Sequence, residues 1–394
     1  NVGSDNYSTG LLVVADSRAL IVATNGTGLV FAGSGATRSN SVGNMDFSAG
    51  TVLTRGFRMA YSRDSRSEVV MGDATLVNRQ DTGITVANGI NSDAQLVLNH
   101  ANSLVDCTNT AVGNPLILGA STGSYGRLLM SNGTMRLNRL VVGNTGVGLM
   151  TMENQAQVAV KENIYIPNSA TGLGTGTGTL VLASSLASLT ATVGTTVVGA
   201  NWAGAKAGSG TVIISNGTMN IRLLNVGSAC DGLVTVMDGA IQQGSTSLGD
   251  GVKIGTSTEG GTGTLVLAHA NALLNTPANN LVLANAANSS GRLLLSNGLA
   301  LVRSIQTAGT ASSMTNTSSA IVIEAATLAA TVECQLGNGA ASQGSVVLAH
   351  PDALLSVTGI EVRMSYATNT FTSLVLSNGT MQARAINMGS GTIG

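Results

Sequence analysis

The side chains best suited to acid-base or metal chemistry are three histidines, and all three occur at one place in a repeated segment. His100, His269 and His350 each follow a short apolar run, in QLVLNH, TLVLAH and SVVLAH. Asp16 and Ser184 occupy the same place in two further copies. A catalytic or metal site needs its side chains in one location, whereas equivalent positions of a repeat lie in different layers of the fold. The histidines therefore predict no shared site.

A carboxylate precedes each histidine, at the matching bend of the segment before it. The predicted pairs are Asp73 with His100, Asp238 with His269, and Glu324 with His350. A solvated polar corner is the alternative interpretation. Two ligands fall short of the three or four that a zinc site needs, so no metal and no cofactor is expected.

Repetition dominates the whole chain and comes in three kinds of segment. The SNG coil starts at 43, 126, 210, 291 and 372. The histidine coil starts at 10, 93, 178, 263 and 344. The acid coil starts at 66, 148, 232 and 319. In chain order the three kinds alternate as histidine, SNG, acid, with a combined period of about 83 residues.

The shortest segment, 126–147, shows what one repeat forms. Apolar residues alternate in short runs that are broken by SNG, by Asn138-Arg139 and by Gly143, which predicts three short strands. Stacking such repeats pairs equivalent strands in parallel at a spacing of about 4.8 Å. The sequence therefore predicts an all-β, parallel, right-handed β-helix of about 14 coils of 22–33 residues, continuous over 1–394 and without recognisable end caps.

The recurring SNG tripeptide is interpreted as a bend. An Asn-Gly pair readily adopts the positive φ that a sharp corner between strands requires. The predicted corner residues are Asn132, Gly133, Asn216, Gly217, Asn297, Gly298, Asn378 and Gly379. Three of these asparagines, Asn132, Asn216 and Asn378, also form N-x-T sequons and are possible glycosylation sites in a suitable host.

Arginine also recurs at one position of the SNG coils. The row comprises Arg55, Arg222, Arg303 and Arg384, with Arg139 displaced by one place. It is interpreted either as solubilising decoration or as a lateral contact to a neighbouring fibre or to an anionic polysaccharide, through guanidinium forks. The segment 54–68 is densely charged and is interpreted either as a variable loop or as a second contact surface.

Composition limits the classes of partner. Only 9% of residues are charged and the net charge is -1, so no basic field attracts nucleic acid. No apolar run is long enough to span a membrane. Cys107, Cys230 and Cys334 fall in distant coils, which predicts buried thiols rather than disulfides.

The recurring pattern G-x-L-x-L-[SA]-[NH]-[GA], together with Gly-rich loops, resembles the β-strand repeats of bacterial autotransporter-type passenger domains and related secreted surface proteins. The resemblance runs from about residue 10 to the end of the chain. It implies a right-handed β-helix on a cell surface.

These features favour a structural, non-catalytic subunit of an extracellular filament, in which β-helices stack head to tail through uncapped ends. An adhesin stalk that binds glycans or surfaces is the alternative. A carbohydrate-active β-helix enzyme is the third possibility, and it is the least favoured because the acidic residues are scattered rather than clustered.

Overall fold

The protein is an all-β molecule in the computed structural model. The structure describes residues 1–24, 28–33, 39–79, 83–108, 115–169, 176–201, 208–243, 249–256, 260–308, 315–337, 339–365 and 369–389. Within these ranges the regular structure consists of β-strands. No helix in this part of the chain is long and apolar enough to cross a membrane.

The chain divides into two compact units. Unit 1 comprises residues 1–194 and 207–209, and unit 2 comprises 195–206 and 210–394. Each unit is a stack of short parallel strands. That residues 1–394 form one continuous solenoid stays a prediction.

Most strands are short. Some strands are longer, because the chain stays extended through the corner that joins two successive sides of a coil. The strands are β1 Thr9–Val14, β2 Leu20–Ala23, β3 Leu29–Val30, β4 Val42–Thr54, β5 Phe57–Met59, β6 Arg66–Asn78, β7 Ile84–Val86, β8 Asp93–Leu98, β9 Leu104–Cys107, β10 Pro115–Leu118, β11 Tyr125–Met130, β12 Thr134–Leu137, β13 Arg139–Val142, β14 Val147–Met152, β15 Gln157–Val160, β16 Ile164–Ser169, β17 Thr177–Asn201, β18 Ser209–Val226, β19 Asp231–Gln243, β20 Gly249–Ile254, β21 Thr262–Leu267, β22 Leu273–Thr276, β23 Asn279–Leu283, β24 Ser290–Thr307, β25 Ser318–Leu336, β26 Gln343–Val357, β27 Val362–Met364, β28 Phe371–Ala383 and β29 Ile386–Met388.

The predicted three-sided coil is confirmed in the shortest repeat. Strands β11, β12 and β13 form its first, second and third sides. Each pairs in parallel with the equivalent strand of the next coil, β14, β15 and β16. The fold is therefore a parallel β-solenoid.

The register of the first side reproduces the alignment of the repeats. Gly10 pairs with Gly43, Gly148 with Gly178, and Gly263 with Gly291. Among the described residues, pairing links seven first-side strands in unit 1, namely β1, β4, β6, β8, β11, β14 and β17. It links six in unit 2, namely β19, β21, β24, β25, β26 and β28. Strand β18 begins at the boundary between the units. The number of turns differs slightly from the predicted 14.

The core of each unit is a set of side-chain ladders that point into the coils. On the first side of unit 1 one such ladder is Met45, Val69, Leu96, Leu128, Met150 and Leu180, all at most 2% exposed. Residues between them point outward because side chains alternate along a strand. Full burial of each aliphatic side chain contributes about 1.5–3 kcal/mol, so the ladders are the main stabilising element of a coil.

The corner after the third side has a characteristic left-handed backbone conformation. In eleven coils of the described part of the chain, the residue directly after the strand that ends the third side has a φ between 44° and 78°. These residues are Ala60, Ala87, Gly119, Gly143, Gly227, Gly255, Ala284, Ala308, Gly337, Ser365 and Gly389. At Gly143 a Cβ would lie 2.2 Å from the Thr177 carbonyl oxygen. Only small residues fit this corner, because the next coil crosses directly over it.

Candidate functional site

The three histidines lie at equivalent bends between the first and second sides of their coils. In two of them the carbonyl of the histidine accepts a hydrogen bond from the amide three residues on, Ser103 N at 3.0 Å and Ala272 N at 2.9 Å. Two predicted partners lie beside the imidazoles. Asp73 Oδ1 is 4.0 Å from His100 Nδ1, and Asp238 Oδ1 is 3.4 Å from His269 Nδ1.

The third predicted pair is wrong, because His350 has a closer carboxylate in its own bend. Asp352 Oδ2 lies 3.6 Å from His350 Nδ1, and the Asp352 amide donates to the same nitrogen at 3.1 Å. Glu324 is exposed on the preceding coil. A partner two residues away is held near the ring by the bend itself, whereas a partner on the adjacent coil has to reach across the strand spacing.

The geometry of these bends favours the solvated polar corner. His100 Nδ1 accepts a hydrogen bond from the Asn102 amide at 3.3 Å, so this nitrogen does not donate to Asp73 in that arrangement. The imidazoles and carboxylates are each at least two-fifths exposed. In the part of the chain that the structure describes, no three His, Cys, Asp or Glu side chains group in a way that could hold a metal ion.

The SNG corners lie directly over the histidine bends, and glycine is the residue that makes this possible. Gly133, Gly217, Gly298 and Gly379 have positive φ, as predicted, and so does Gly50 of the SAGT copy. A Cβ on Gly298 would lie 2.4 Å from the Ala272 oxygen and 2.8 Å from the His269 oxygen. The SNG motif is therefore a corner that packs on the turn of the preceding coil.

The asparagines of these corners do not themselves adopt positive φ. Instead, Asn216 Oδ1 and Asn297 Oδ1 accept a hydrogen bond from the following glycine amide, at 3.1 and 2.9 Å. Among the sequon residues, Asn132 and Asn216 are half-buried and Asn378 is exposed. Their glycosylation stays a prediction.

The arginine row consists of separated points rather than a continuous strip. Val302 and Ala383 occupy one register position three coils apart, which places Arg303 and Arg384 equivalently, about 14 Å from each other. Arg222 and Arg384 are exposed and Arg55 is half-buried. Two members have partners in adjacent coils. Arg139 lies 3.5 Å from Glu162, and Arg303 Nη1 donates to Asn280 Oδ1 at 3.3 Å. A lateral contact through this row stays a prediction.

The three cysteines are buried and unpaired with one another, which confirms the prediction of free thiols. Burial raises the pKa of Cys107 and Cys334 to about 12 and that of Cys230 to about 11, with a smaller contribution from a neighbouring carboxylate in each case. Thiols of this kind pack as small apolar groups and are poor nucleophiles.

A polar groove on the outer first side of unit 1 has a volume of about 400 Å³. It is lined by Val42, Asn44, Arg66, Ser67, Glu68, Asp93, Gln95 and Arg127, which come from four consecutive coils. Arg127 Nη2 lies 2.9 Å from Asp93 Oδ1. Arg66 and Glu68 end the charged segment 54–68, but no pattern in the sequence indicates that they lie beside Asp93 and Arg127.

A second surface is the uncovered edge of the last coil of unit 2. Leu376 and Ile386 occupy core positions, yet they are 51% and 49% exposed, and Met388 is 77% exposed. Leu348 and Val362, their register partners in the preceding coil, are 0% exposed. This coil therefore exposes apolar side chains at core positions, and among the described residues β28 and β29 each pair with a strand on one side, β26 and β27 respectively.

The first coil of unit 1 is also apolar at its outward positions. Leu11, Val13, Leu20 and Val22 are all more than half exposed. Residues 1–8 cover its third side, where Val2 forms a bridge with Phe31. Its first two sides, β1 and β2, each pair with one other strand, β4.

Comparisons of the chain with protein-family models, with curated proteins and with solved structures found no match. The β-solenoid fold therefore rests on the strand pairing alone. The resemblance to autotransporter-type passenger domains stays a prediction.

Proposed function

We propose that this protein is a structural, non-catalytic subunit of an extracellular fibre, in which copies stack coil upon coil. The observation that carries the proposal is the exposure of core positions in the last coil of unit 2. Leu376 and Ile386 would be as buried as Leu348 and Val362 if one more coil lay over them. Covering these side chains and pairing the strand edge would stabilise the contact through apolar burial and backbone hydrogen bonds.

A second copy of the chain suits this edge because the strand lengths agree. The segments of β28 that pair with β26 are 371–376 and 380–383, six and four residues long. Strands β1 and β2 at the other surface are also six and four residues long. Leu12 and Ile21, the register partners of the buried Met45 and Val52, place apolar side chains at core positions of this surface as well. A contact between two different surfaces does not close on itself, so repeated stacking gives a filament.

An extracellular location fits the composition and the resemblance to secreted β-strand-repeat proteins. Small and polar uncharged residues dominate, and only 9% of residues are charged. Immunogold labelling of intact source cells tests this part of the proposal. Surface label is the expected result, and label confined to the cell interior would contradict it.

The test of stacking compares two neighbouring lysine substitutions in β28. Leu376→Lys places a charge at an uncovered core position, and a stacked copy would have to bury it. Val375→Lys is the matched control, because Val375 is similarly exposed but points outward. Electron microscopy of the folded proteins should show filaments for the wild type and for Val375→Lys, and none for Leu376→Lys. Filaments from Leu376→Lys, or none from folded wild type, would refute stacking through this edge.

A second candidate function is glycan binding on the outer face. The polar groove between β4 and β11 favours it.

A further inference from the structure

We propose that the groove on the outer first side of unit 1 is a binding site for an uncharged oligosaccharide. This function goes beyond the structural one, since a filament subunit needs no such groove. The site spans four coils of unit 1, from Asn44 in β4 to Arg127 in β11.

Three of its side chains are held in place by the protein before any ligand binds. Asp93 and Arg127 form an ion pair at 2.9 Å across adjacent coils. Asn44 Oδ1 accepts a hydrogen bond from the Glu68 amide at 3.0 Å, which fixes the amide plane and leaves its two N–H donors for other partners. Fixed donors and acceptors reduce the entropy cost of binding a polar ligand.

Other polar groups in the groove lack protein partners. Among the described residues, the side chains of Glu68, Gln95 and Arg66 form neither a hydrogen bond nor an ion pair. Glu68 and Gln95 are register partners on adjacent strands. A carboxylate and an amide on adjacent strands, about 4.8 Å apart, offer both acceptors and donors to a ligand.

The charges of the groove cancel, which selects the class of ligand. Arg66 and Arg127 balance Glu68 and Asp93, so the site has no net field to attract an anion or a cation. Hydroxyl groups both donate and accept hydrogen bonds, and they match such a mixed surface. A neutral sugar chain carries many such hydroxyl groups and no charge, so it is the class of ligand that fits this groove.

An aromatic ring lies at the end of the groove. Tyr125 is the register partner of Asp93 and is 37% exposed. The Arg127 guanidinium carbon lies 5.3 Å from the centre of its ring. A tyrosine held by a neighbouring cation gives a flat amphipathic surface on which the apolar face of a sugar ring can stack.

The arrangement is particular to this part of the molecule. In unit 2 the equivalent outward positions next to Arg292 are Thr264 and Ala320, which have neither charge nor an amide. Four of the few charged residues of the chain therefore meet on one face of unit 1. If these charged residues served only to keep a repeat protein soluble, charged residues would recur at the same positions in unit 2.

Affinity electrophoresis of the folded protein in native gels tests the proposal. The neutral gels contain galactomannan, xyloglucan, laminarin or hydroxyethylcellulose, and the anionic gels contain polygalacturonate or chondroitin sulfate. We expect retardation in at least one neutral gel. The double variant Glu68→Ala with Gln95→Ala should weaken it about tenfold, since two hydrogen-bonding groups are lost. Arg292→Ala is the matched control and should bind like the wild type.

Three results would overturn the proposal. They are no retardation in any neutral gel, retardation only in the anionic gels, and unchanged retardation of the double variant. Failure of filament formation leaves this test unaffected, because the groove lies within a single copy.

Discussion

At the scale of single residues, asparagine and glycine have different roles in the SNG corner. Asparagine accepts a hydrogen bond from the next amide, and glycine supplies the positive φ and the room. The glycine is the less replaceable of the two, because the carbonyls of the coil before it lie where a Cβ would be.

Gly298→Ala should therefore destabilise unit 2 by about 1–3 kcal/mol, from backbone strain and from contact with the Ala272 carbonyl. The measurement is the midpoint of urea unfolding followed by circular dichroism. Asn297→Ala is the control, with an expected loss of about 1 kcal/mol or less. Equal losses at the two positions would show that glycine has no special role at this corner.

The buried thiols lead to a prediction about reactivity. Ellman's reagent at pH 8 should label none of Cys107, Cys230 and Cys334 in the native protein within minutes, since burial both blocks access and raises their pKa. All three should react in guanidinium chloride. Rapid labelling of the native protein would contradict the packing of these residues.

The same pKa shifts predict how stability changes with pH. An unfolded thiol ionises near its ordinary pKa of 9.0, whereas Cys107 and Cys334 in the native state do so near 12. Between these values the native state holds protons that the unfolded state has lost, so their contribution to stability falls as pH rises. In that window Cys107→Ala should reduce the pH dependence of the urea midpoint, and an unchanged dependence would contradict the shift.

At the scale of elements, the alternation of side chains along each strand places one set in the core and the other set on the outer face. In β8, Leu96 points inward and is fully buried, while Val97 points outward and is half-buried. The same alternation across β4, β6, β8 and β11 brings the groove residues onto one face.

Leu96→Ala should cost about 2–5 kcal/mol, because a cavity opens within the ladder of unit 1. Val97→Ala, the neighbouring control, should cost about 1 kcal/mol or less, since it removes outward surface. Thermal unfolding of both variants measures the difference. A larger loss at Val97 would mean that the register is shifted by one residue.

The sequence predicts some of these elements and not others. Coil starts could be found because every coil repeats its pattern, and Gly10 pairs with Gly43 as aligned. The left-handed corner after the third side was not predicted, because Ala60 and Ala87 carry no signal of positive φ. The Glu324 pairing failed because a local bend brought Asp352 closer to His350. The groove could not be predicted because its charged residues, Arg66, Glu68, Asp93 and Arg127, come from three separate strands along the chain, β6, β8 and β11.

At the scale of the whole molecule, the proposed stacking would bring the edge of β28 and β29 in unit 2 against the edge of β1, β2 and β3 in unit 1 of another copy. Residues 1–8 cover part of the unit 1 edge on the third side. The Val2 amide donates to the Val30 oxygen and the Val2 oxygen accepts from the Ala32 amide, both at 2.9 Å. This segment occupies the level at which a stacked coil would lie on the third side.

Removal of residues 1–8 should therefore favour assembly, because it exposes the edge of β3 as well as those of β1 and β2. Light scattering during dilution gives the concentration at which filaments dissociate, and that concentration should be lower for the shortened chain. A higher value, with folding intact by circular dichroism, would mean that residues 1–8 form part of the contact rather than an obstacle to it.

Hydrogen exchange tests the central claim most directly, by comparing the protein below and above the concentration at which it assembles. Stacking predicts new protection of backbone amides in 371–388 of unit 2 and in 9–23 of unit 1, since these strands gain hydrogen-bonded neighbours. Peptides from inner strands such as β8 should exchange alike in both samples. Protection that is confined to other segments, or no new protection when the protein assembles, would contradict stacking through these strands.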